Sequence, residues 1–161
     1  MSGSLHQSAQ EILELLRSSQ STLATAESIT GGLLSGALTD IPGSSDVFLG
    51  GVVAYSVAAK SSLLGVDREL ITRHGVVSAE VASAMAQGAL KSFGSSWAIA
   101  TTGVAGPGAS EGVAPGTVWI AVTQRGGAPE SQLLSLSGGR QEVRSETIAR
   151  AFTLFTRILR G

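Results

Sequence analysis

Apolar residues along this chain repeat with two different spacings, one typical of helices and one of strands. Near the start, Ala9, Ile12, Leu13 and Leu16 recur every three or four residues with charged residues between them, which indicates an amphipathic helix. Short apolar runs such as TVWIAVT at 117–123 indicate buried strands. The same pattern predicts helices over residues 7–19, 31–38, 57–64, 67–73, 78–93 and 140–159. It predicts strands over residues 21–26, 48–55, 97–100, 117–123 and 133–136.

The order of these elements predicts the fold class. Strands and helices alternate through most of the chain, which is typical of a layered α/β domain. The last two strands follow each other without a helix between them, so we expect them to form a hairpin and to make the central sheet mixed. Ligands in such folds bind beyond the strand ends, where loops meet helix N-termini. The polar, glycine-marked segments that follow the strands are therefore the candidates for a site.

Length and charge narrow the class of protein. With 161 residues, 43% of them hydrophobic, the chain is expected to form a single domain over residues 1–161 with an ordinary packed core. The net charge of −1 provides no basic surface for nucleic acid, and no apolar run approaches the ~20 residues that span a membrane. The first residues are acidic and amphipathic, unlike a secretory signal. We expect a soluble cytoplasmic protein that binds neither nucleic acid nor membranes.

Residue types that are missing exclude several chemistries. The chain has no cysteine, which excludes disulfides, thiolate zinc sites and a thiol nucleophile. Its two histidines are His6 and His74, so a histidine-rich metal site is excluded and a Ser-His-Asp triad would need His74. We expect no metal and no cofactor. Any hydrolytic chemistry must find its base among few residues.

The segment TAESITGG, residues 25–32, brings a carboxylate, hydroxyls and two glycines to the end of a predicted strand. Ser28 has two interpretations: a cap that accepts hydrogen bonds from free helix N–H groups, or a nucleophile. Glu27 is either a carboxylate at a helix start or a group that orients a base and water. The sequence leaves both pairs of alternatives open.

A serine hydroxyl needs a neighbouring base, and because histidine is scarce a neutral lysine is the natural candidate. Lys60 closes the segment YSVAAK, whose apolar residues provide surroundings that lower a lysine pKa. The alternative for Lys60 is an exposed helical position, which is also what we expect for Lys91. Tyr55, the single tyrosine, either hydrogen-bonds the amine or a substrate, or fills a strand position.

Two glycine-rich segments can expose backbone N–H groups to an anion: Gly31-Gly32, and TTGVAGPG at residues 101–108. Neither matches a Walker A loop or a dinucleotide-binding fingerprint. Arg140 and Arg144 lie one turn apart at the start of the last predicted helix, where a phosphate would also meet the helix dipole. The alternative for both arginines is a solvated face paired with nearby glutamates.

Several short motifs occur in an order that resembles one family: AES-x-TGG, PGSS, F-x-GG-x-V-x-YS-x-x-x-K, HG-x-VS, TG-x-AGP and GTVW. The chain is similar to the CinA C-terminal domain family, whose stand-alone members are nicotinamide mononucleotide deamidases. The resemblance runs from about Ile12 to Leu159. It implies a three-layer α/β/α sandwich with a mixed central sheet. It also implies hydrolysis of nicotinamide mononucleotide to nicotinate mononucleotide and ammonia, which recycles a pyridine nucleotide toward NAD biosynthesis.

The resemblance further implies the roles of site residues. It implies a metal-independent serine amidohydrolase in which Ser28 is the nucleophile, Lys60 the base and Tyr55 a residue that assists them. A pyridine nucleotide is then the small-molecule substrate, and a homo-oligomer is compatible with the family. Together with the segments above, this gives a set of residues for substrate binding or proton relay: Glu27, Thr30, Gly31, Gly32, Ser44, Ser45, Thr102, Gly103, Gly106 and Arg140.

The chain departs from the family pattern at three places. Ile29 stands where cysteine is common, and Gly139 stands where a common Gly-Asp-Arg has its aspartate. The loop after Pro107 is shorter than usual, reads GASEGVAPG and lacks the usual lysine. The leading hypothesis is amide hydrolysis by a Ser28–Lys60 pair. The alternative is a non-catalytic nucleotide-binding or regulatory domain, and an assay of ammonia release separates the two.

Overall fold

The computed structural model describes residues 2–161; Met1, which the predicted domain includes, lies outside the described residues. The helices are α1 (Ser2–Ser18), α2 (Leu33–Thr39), α3 (Val57–Leu64), α4 (Arg68–His74), α5 (Ala79–Phe93) and α6 (Arg140–Arg160). The strands are β1 (Leu23–Glu27), β2 (Phe48–Val53), β3 (Trp97–Gly103), β4 (Thr117–Gln124) and β5 (Glu130–Ser135). A short 3₁₀ helix, Ser44–Asp46, precedes β2. Within residues 2–161 none of the helices is long and apolar enough to cross a membrane.

The strands of the described range form one sheet in the order β2-β1-β3-β4-β5. β1 is parallel to both of its neighbours, with Leu23 opposite Phe48 on one side and Trp97 on the other. β4 is antiparallel to β3 and to β5. The predicted mixed sheet and its terminal hairpin are confirmed. Because β1, β2 and β3 run in one direction, their carboxyl ends meet at the same edge of the sheet.

The two faces of the sheet carry side chains of different size, since alternate residues of a strand point to opposite faces. The face toward α1, α2 and α6 carries large aliphatic residues: Leu23, Ile99, Val118, Ile120 and Val122. The face toward α3, α4 and α5 carries alanines: Ala24, Ala26, Ala98, Ala100 and Ala121. Helices on both faces make three layers. The α/β/α sandwich that the resemblance implies is therefore confirmed.

Short side chains bring α5 close to the sheet and to α3. Ala82 and Ala86 of α5 pack on the alanine face. A Cβ atom on Gly88 would lie 2.1 Å from the Leu64 carbonyl oxygen, so only a glycine leaves room for the end of α3. This contact fixes α3 beside the carboxyl ends of the parallel strands.

Several element ends differ from the prediction. α2 begins at Leu33 rather than at Gly31, because Gly31 and Gly32 have positive φ angles of 56° and 97° that end the turn before it. β3 continues through residues 101–103, which were expected to be loop, because these residues pair with β4. α1 starts earlier than predicted, and β5 is shifted toward the N-terminus by pairing with β4.

Candidate active site

Ser28 lies in a turn that follows β1, at the edge of the sheet where the parallel strands end. Its backbone N–H donates to the Thr101 carbonyl on β3 at 2.9 Å, which fixes the start of the turn. The Gly31 N–H donates to the Ser28 carbonyl at 3.1 Å and closes it. The Ser28 hydroxyl oxygen is 2.9 Å from the Lys60 amine. Ser28 therefore presents its hydroxyl to another side chain rather than to the N–H groups of α2.

Glu27 fills the capping role at the start of α2. Its carboxylate accepts the backbone N–H groups of Gly32, Leu34 and Ser35 at 3.2, 2.8 and 3.0 Å, and the Ser35 hydroxyl at 2.6 Å. These N–H groups and the helix dipole stabilise a buried carboxylate. Within residues 2–161 its side-chain hydrogen bonds go to α2 and not to Lys60. Glu27 therefore agrees with the first of its two interpretations, a carboxylate at the start of a helix.

Lys60 lies on the inner face of α3. Ser56 caps this helix by accepting the Ala59 N–H at 3.0 Å, and Leu64 lies one turn beyond Lys60 on the same buried face. The Lys60 side chain is 1% exposed. Its Nζ atom lies 2.9 Å from Ser28 Oγ and 2.9 Å from the Ala54 carbonyl oxygen. Lys60 thus occupies a buried position and not the exposed helical position that was its alternative.

Burial lowers the pKa of Lys60 from 10.5 to about 8, because the ammonium loses its hydration. An amine with this pKa is neutral in about a tenth of the molecules at pH 7. In the neutral form its lone pair can accept the Ser28 hydroxyl proton while an N–H donates to the Ala54 carbonyl. The pair has the contact that a nucleophile and its base require.

Ser28 and Lys60 form the floor of a cavity of about 660 Å³, a volume typical of small-molecule sites. Three further segments line its walls: the connection between β2 and α3, residues 74–77 from the end of α4 onward, and residues between 103 and 113 from the end of β3 onward. Gly103 and Gly106, two of the predicted site residues, lie in the last of these segments. The cavity is thus open to ligands at the edge where β1, β2 and β3 end.

Tyr55 and Arg140 form the outer rim of the cavity. Tyr55 is 61% exposed, and Arg140 is the first residue of α6. The Arg140 guanidinium donates to the Tyr55 hydroxyl at 2.9 Å and to the Gly106 carbonyl at 3.1 Å. These contacts join α6 to the two connections that follow β2 and β3. Tyr55 therefore contacts Arg140 rather than the Lys60 amine.

Thr30 and Thr102 are fully buried beneath the walls. The Thr30 hydroxyl is 2.8 Å from the Thr101 hydroxyl, and the Thr102 hydroxyl donates to the Val76 carbonyl at 3.0 Å. The first contact attaches the Ser28 turn to β3. The second attaches β3 to the segment after α4.

Gly31 and Gly32 lie beside Ser28, but their N–H groups are already used. The Gly31 N–H donates to the Ser28 carbonyl, and the Gly32 N–H donates to the carboxylate that caps α2. In the turn, the N–H groups of Ile29 and Thr30 are the ones without a hydrogen-bond partner in residues 2–161. Donors for a bound anion at Ser28 are therefore nearer to the serine than the two glycines.

Ser44 and Ser45 lie at the opposite edge of the sheet. They start the 3₁₀ helix that precedes β2, and β2 is parallel to β1, so they lie beside the beginning of β1. Gly43 next to them accepts a hydrogen bond from the Arg17 guanidinium at 2.8 Å. The structure does not bring Ser44 and Ser45 to the cavity.

Sequence reasoning did not assign two titratable residues that line the cavity, His74 and Glu111. His74 ends α4, and its Nδ1 lies 3.4 Å from the Glu80 carboxylate. The HG-x-VS motif was a signal for His74. Glu111 has a φ angle of 49° in a turn closed by paired bonds between Ser110 and Val113. Nothing in the sequence marks this turn, because it depends on how the loop folds back over the cavity.

Comparison with known proteins agrees with this architecture. The model of the CinA C-terminal domain matches residues 5–159. The chain is 49% identical over 152 residues to a "CinA-like protein" of Mycolicibacterium vanbaalenii, a match that covers 94% of this chain and 36% of that protein. This chain spans about a third of the length of the curated relatives it matches.

Solved structures match over nearly their whole length. The competence/damage inducible protein CihA from Agrobacterium tumefaciens is 37% identical, with a TM-score of 0.92 over 98% of this chain and 96% of that one. A CinA superfamily protein from Klebsiella pneumoniae is 33% identical, with a TM-score of 0.93 over 96% of this chain and 97% of that one. The sheet order, the layers and the family match together lead to one conclusion: this chain belongs to the CinA C-terminal domain family.

Proposed function

We propose that this chain is a serine amidohydrolase that converts nicotinamide mononucleotide to nicotinate mononucleotide and ammonia. The observation that carries the proposal is the 2.9 Å contact between Lys60 Nζ and Ser28 Oγ at the floor of the cavity. A serine hydroxyl becomes a nucleophile only when a base takes its proton, and Lys60 is the titratable group in contact with it. The lowered pKa of Lys60 makes that base available near neutral pH.

The proposed reaction begins with the neutral Lys60 amine. As the Ser28 oxygen bonds to the carboxamide carbon, its proton moves to Lys60 Nζ and the carbonyl electron pair moves to the oxygen. Lys60 then returns a proton to the leaving nitrogen, the C–N bond breaks and ammonia departs. Water, deprotonated by Lys60, then attacks the acyl-enzyme carbon. The bond from that carbon to the Ser28 oxygen breaks, Lys60 returns the proton to Ser28, and the carboxylate product is released. The Ala54 carbonyl, 2.9 Å from Nζ, holds the amine in place through these transfers.

The lining of the cavity fits the charges of this substrate. Arg140 at the rim supplies a guanidinium for the 5′-phosphate, next to the first turn of α6, where the helix dipole also favours an anion. Glu111, in the segment after β3, supplies a carboxylate to the cavity lining, which favours the positive pyridinium ring. The volume of about 660 Å³ accommodates a mononucleotide.

The direct test compares ammonia release from nicotinamide mononucleotide by the unaltered chain, Ser28→Ala and Lys60→Ala. A general base typically accelerates a reaction about 10²–10⁴-fold, so we expect turnover to fall by this factor in Lys60→Ala. Turnover should fall at least as much in Ser28→Ala, which lacks the nucleophile. Lys91→Ala is the matched control, because Lys91 is the other lysine and is exposed on α5. Turnover close to that of the unaltered chain in Ser28→Ala or Lys60→Ala would remove that residue from the mechanism.

A nucleotide-binding domain without turnover is the second candidate. It is favoured by the curated relatives, in which the matched region is about a third of a longer chain. Isothermal calorimetry with nicotinamide mononucleotide and with nicotinate mononucleotide decides between the two. Binding of both nucleotides with no ammonia released would favour this candidate over hydrolysis.

A further inference from the structure

Arg144 reaches from the first turns of α6 to the turn that carries Ser28. Its Nε donates to the Ile29 carbonyl at 3.0 Å and its Nη2 donates to the Thr30 carbonyl at 3.1 Å. A Cβ atom on Gly31 would lie 3.1 Å from the same Nη2, so the glycine gives the guanidinium its close approach. Arg144 therefore does not occupy the solvated, glutamate-paired position that was its alternative.

The two bonds fix the direction of the peptide groups beside the nucleophile. In a trans peptide the C=O and the N–H point in opposite directions. Because Arg144 holds the Ile29 carbonyl, the N–H of Thr30, which shares its peptide plane, points away from Arg144. The Ser28 carbonyl is likewise held by the Gly31 N–H, so the Ile29 N–H points away from Gly31.

These two N–H groups have no hydrogen-bond partner in the part of the chain that the structure describes. Thr30 is fully buried, and Ile29, which lines the cavity, is 5% exposed. Buried backbone N–H groups are nearly always paired in folded proteins. In serine hydrolases the backbone N–H that directly follows the nucleophile is a common oxyanion donor, and such donors stabilise the developing negative charge.

We propose that Arg144 is a positioning residue for the oxyanion-binding donors of Ser28; this rests on the proposed function. It holds the Thr30 N–H directly through the Ile29 carbonyl, and it holds the Ile29 N–H indirectly, through the Thr30 carbonyl and the Gly31 N–H that bonds to the Ser28 carbonyl. When the Ser28 oxygen bonds to the amide carbon, the carbonyl electron pair moves to the amide oxygen. The two N–H groups bind that negative oxygen, while the Ser28 proton moves to Lys60. Arg144 itself contacts neither substrate nor the reacting atoms.

The turn is anchored on its other side by β3. The Ser28 N–H donates to the Thr101 carbonyl, and the Thr30 and Thr101 hydroxyls are 2.8 Å apart. β3 therefore fixes both ends of the segment, and Arg144 fixes the peptide groups between them. A lysine in place of Arg144 keeps the positive charge but lacks the planar fork that donates from Nε and Nη2 to the two carbonyls.

The test measures ammonia release from nicotinamide mononucleotide by Arg144→Lys and Arg144→Met. We expect kcat to fall about ten- to hundredfold, with KM within about twofold and the pH midpoint unchanged, because only the negative oxygen is affected. Arg150→Met is the matched control on the same helix, since Arg150 is exposed and pairs with Glu146. A loss that appears in KM, or a kcat equal to that of the unaltered chain, would overturn the proposal.

A second measurement separates this proposal from the proposed function. A fluorophosphonate reacts with an activated serine: the Ser28 oxygen bonds to phosphorus, fluoride leaves, and the proton moves to Lys60. Its labelling rate depends on stabilisation of the phosphoryl oxygen and not on the natural substrate.

If the unaltered chain releases no ammonia, the proposed function fails and the labelling rate alone decides the role of Arg144. Slower labelling in Arg144→Lys, at an unfolding midpoint equal to that of the unaltered chain, supports the positioning role. Equal labelling rates overturn it. If Arg144→Met does not fold, the milder Arg144→Lys carries both measurements.

Discussion

The floor and the rim of the cavity are held in different ways. At the floor, Ser28 and Lys60 are almost completely buried, and their positions follow from the sheet, the turn after β1 and the packing of α3 on α5. At the rim, Tyr55 and Arg140 are exposed and are held largely by their bond to each other and by the Gly106 carbonyl. The floor is thus part of the folded core, whereas the rim lies in solvent.

Under the proposed function, this difference separates the residues that carry out the chemistry from those that bind the substrate. Only a group removed from water has its pKa lowered by lost hydration, so we propose that the base lies at the floor. Charges at the rim are screened by water and help to hold a ligand without changing the reacting atoms. We therefore expect changes at the floor to act on kcat and changes at the rim to act on KM.

The largest effect is expected from pH, which acts on the floor alone. Because Lys60 must be neutral to act as a base, kcat/KM should rise about tenfold per pH unit up to about pH 8 and level off above it. Ammonia release between pH 6 and pH 10 measures the profile. Arg140→Lys, a change at the rim, should leave the midpoint where it is. A flat profile, or a pH midpoint that shifts in Arg140→Lys, would contradict the separation of floor and rim.

The next effect is expected from Gly88, which supports the floor from α5. In Gly88→Ala the new methyl group meets the Leu64 carbonyl, so α3 must move and carry Lys60 with it. We expect the free energy of unfolding to fall by about 1–3 kcal/mol and kcat to fall with it. Chemical denaturation and ammonia release give both values.

Gly36→Ala is the matched control for this change. Gly36 also lies inside a helix, but nothing lies within 4 Å of its Cβ position. It should raise the free energy of unfolding by about 0.5–1 kcal/mol. If both variants are stabilised, the contact between α5 and α3 is not as tight as the structure has it.

Removing the rim guanidinium should have a smaller effect and of a different kind. Arg140→Ala loses a charged donor to the substrate phosphate, together with its bond to Tyr55, and KM should rise about tenfold with kcat changed by less than about threefold. Initial rates over a range of nucleotide concentrations separate the two constants. Arg150→Ala, further along α6 in solvent, should change neither. A fall in kcat alone would place Arg140 at the chemistry instead of the rim.

The smallest effect is a pH dependence of stability that belongs to Lys60. The pKa of Lys60 is about 8 in the folded chain against 10.5 when unfolded, so between these values the unfolded state binds more protons. The free energy of unfolding should therefore rise with pH in this window, by about 1 kcal/mol from pH 8 to pH 9. Lys60→Met should lack this rise. Equal slopes in the two proteins would mean that the Lys60 amine is not buried in solution.

The sequence predicted the fold well because the features that indicate helices and strands, hydrophobic spacing and capping residues, are local. Hydrophobic spacing located the helices and most strands, and the capping residues Ser78 and Asp67 begin α5 and α4 close to the predicted starts. The ends that differ are those set by partners distant in sequence. The last residues of β3 look like loop, TTG, and become strand because β4 pairs with them.

The site was predicted in part. Glycine, serine and lysine in motif order identified Ser28 and Lys60, which the fold brings together across 32 positions of sequence. The chain neighbours Val57 and Ala58, expected to shield Lys60, are exposed, and the pKa of Lys60 is lowered instead by burial of its side chain in the fold. Ser44 and Ser45 are close in sequence to β2, but they lie at its N-terminal end, away from the cavity.

The two lysines show what the sequence determined and what the tertiary structure decided. The sequence determined that only Lys60 and Lys91 could act as a lysine base, and that each lies on a helix with alanine neighbours. The tertiary structure decided that α3 turns Lys60 inward between the strand ends and α5, while Lys91 stays in solvent. The physical reason is that burial depends on which helix face meets the sheet. That is settled by packing between segments far apart in the chain and not by the residues next to either lysine.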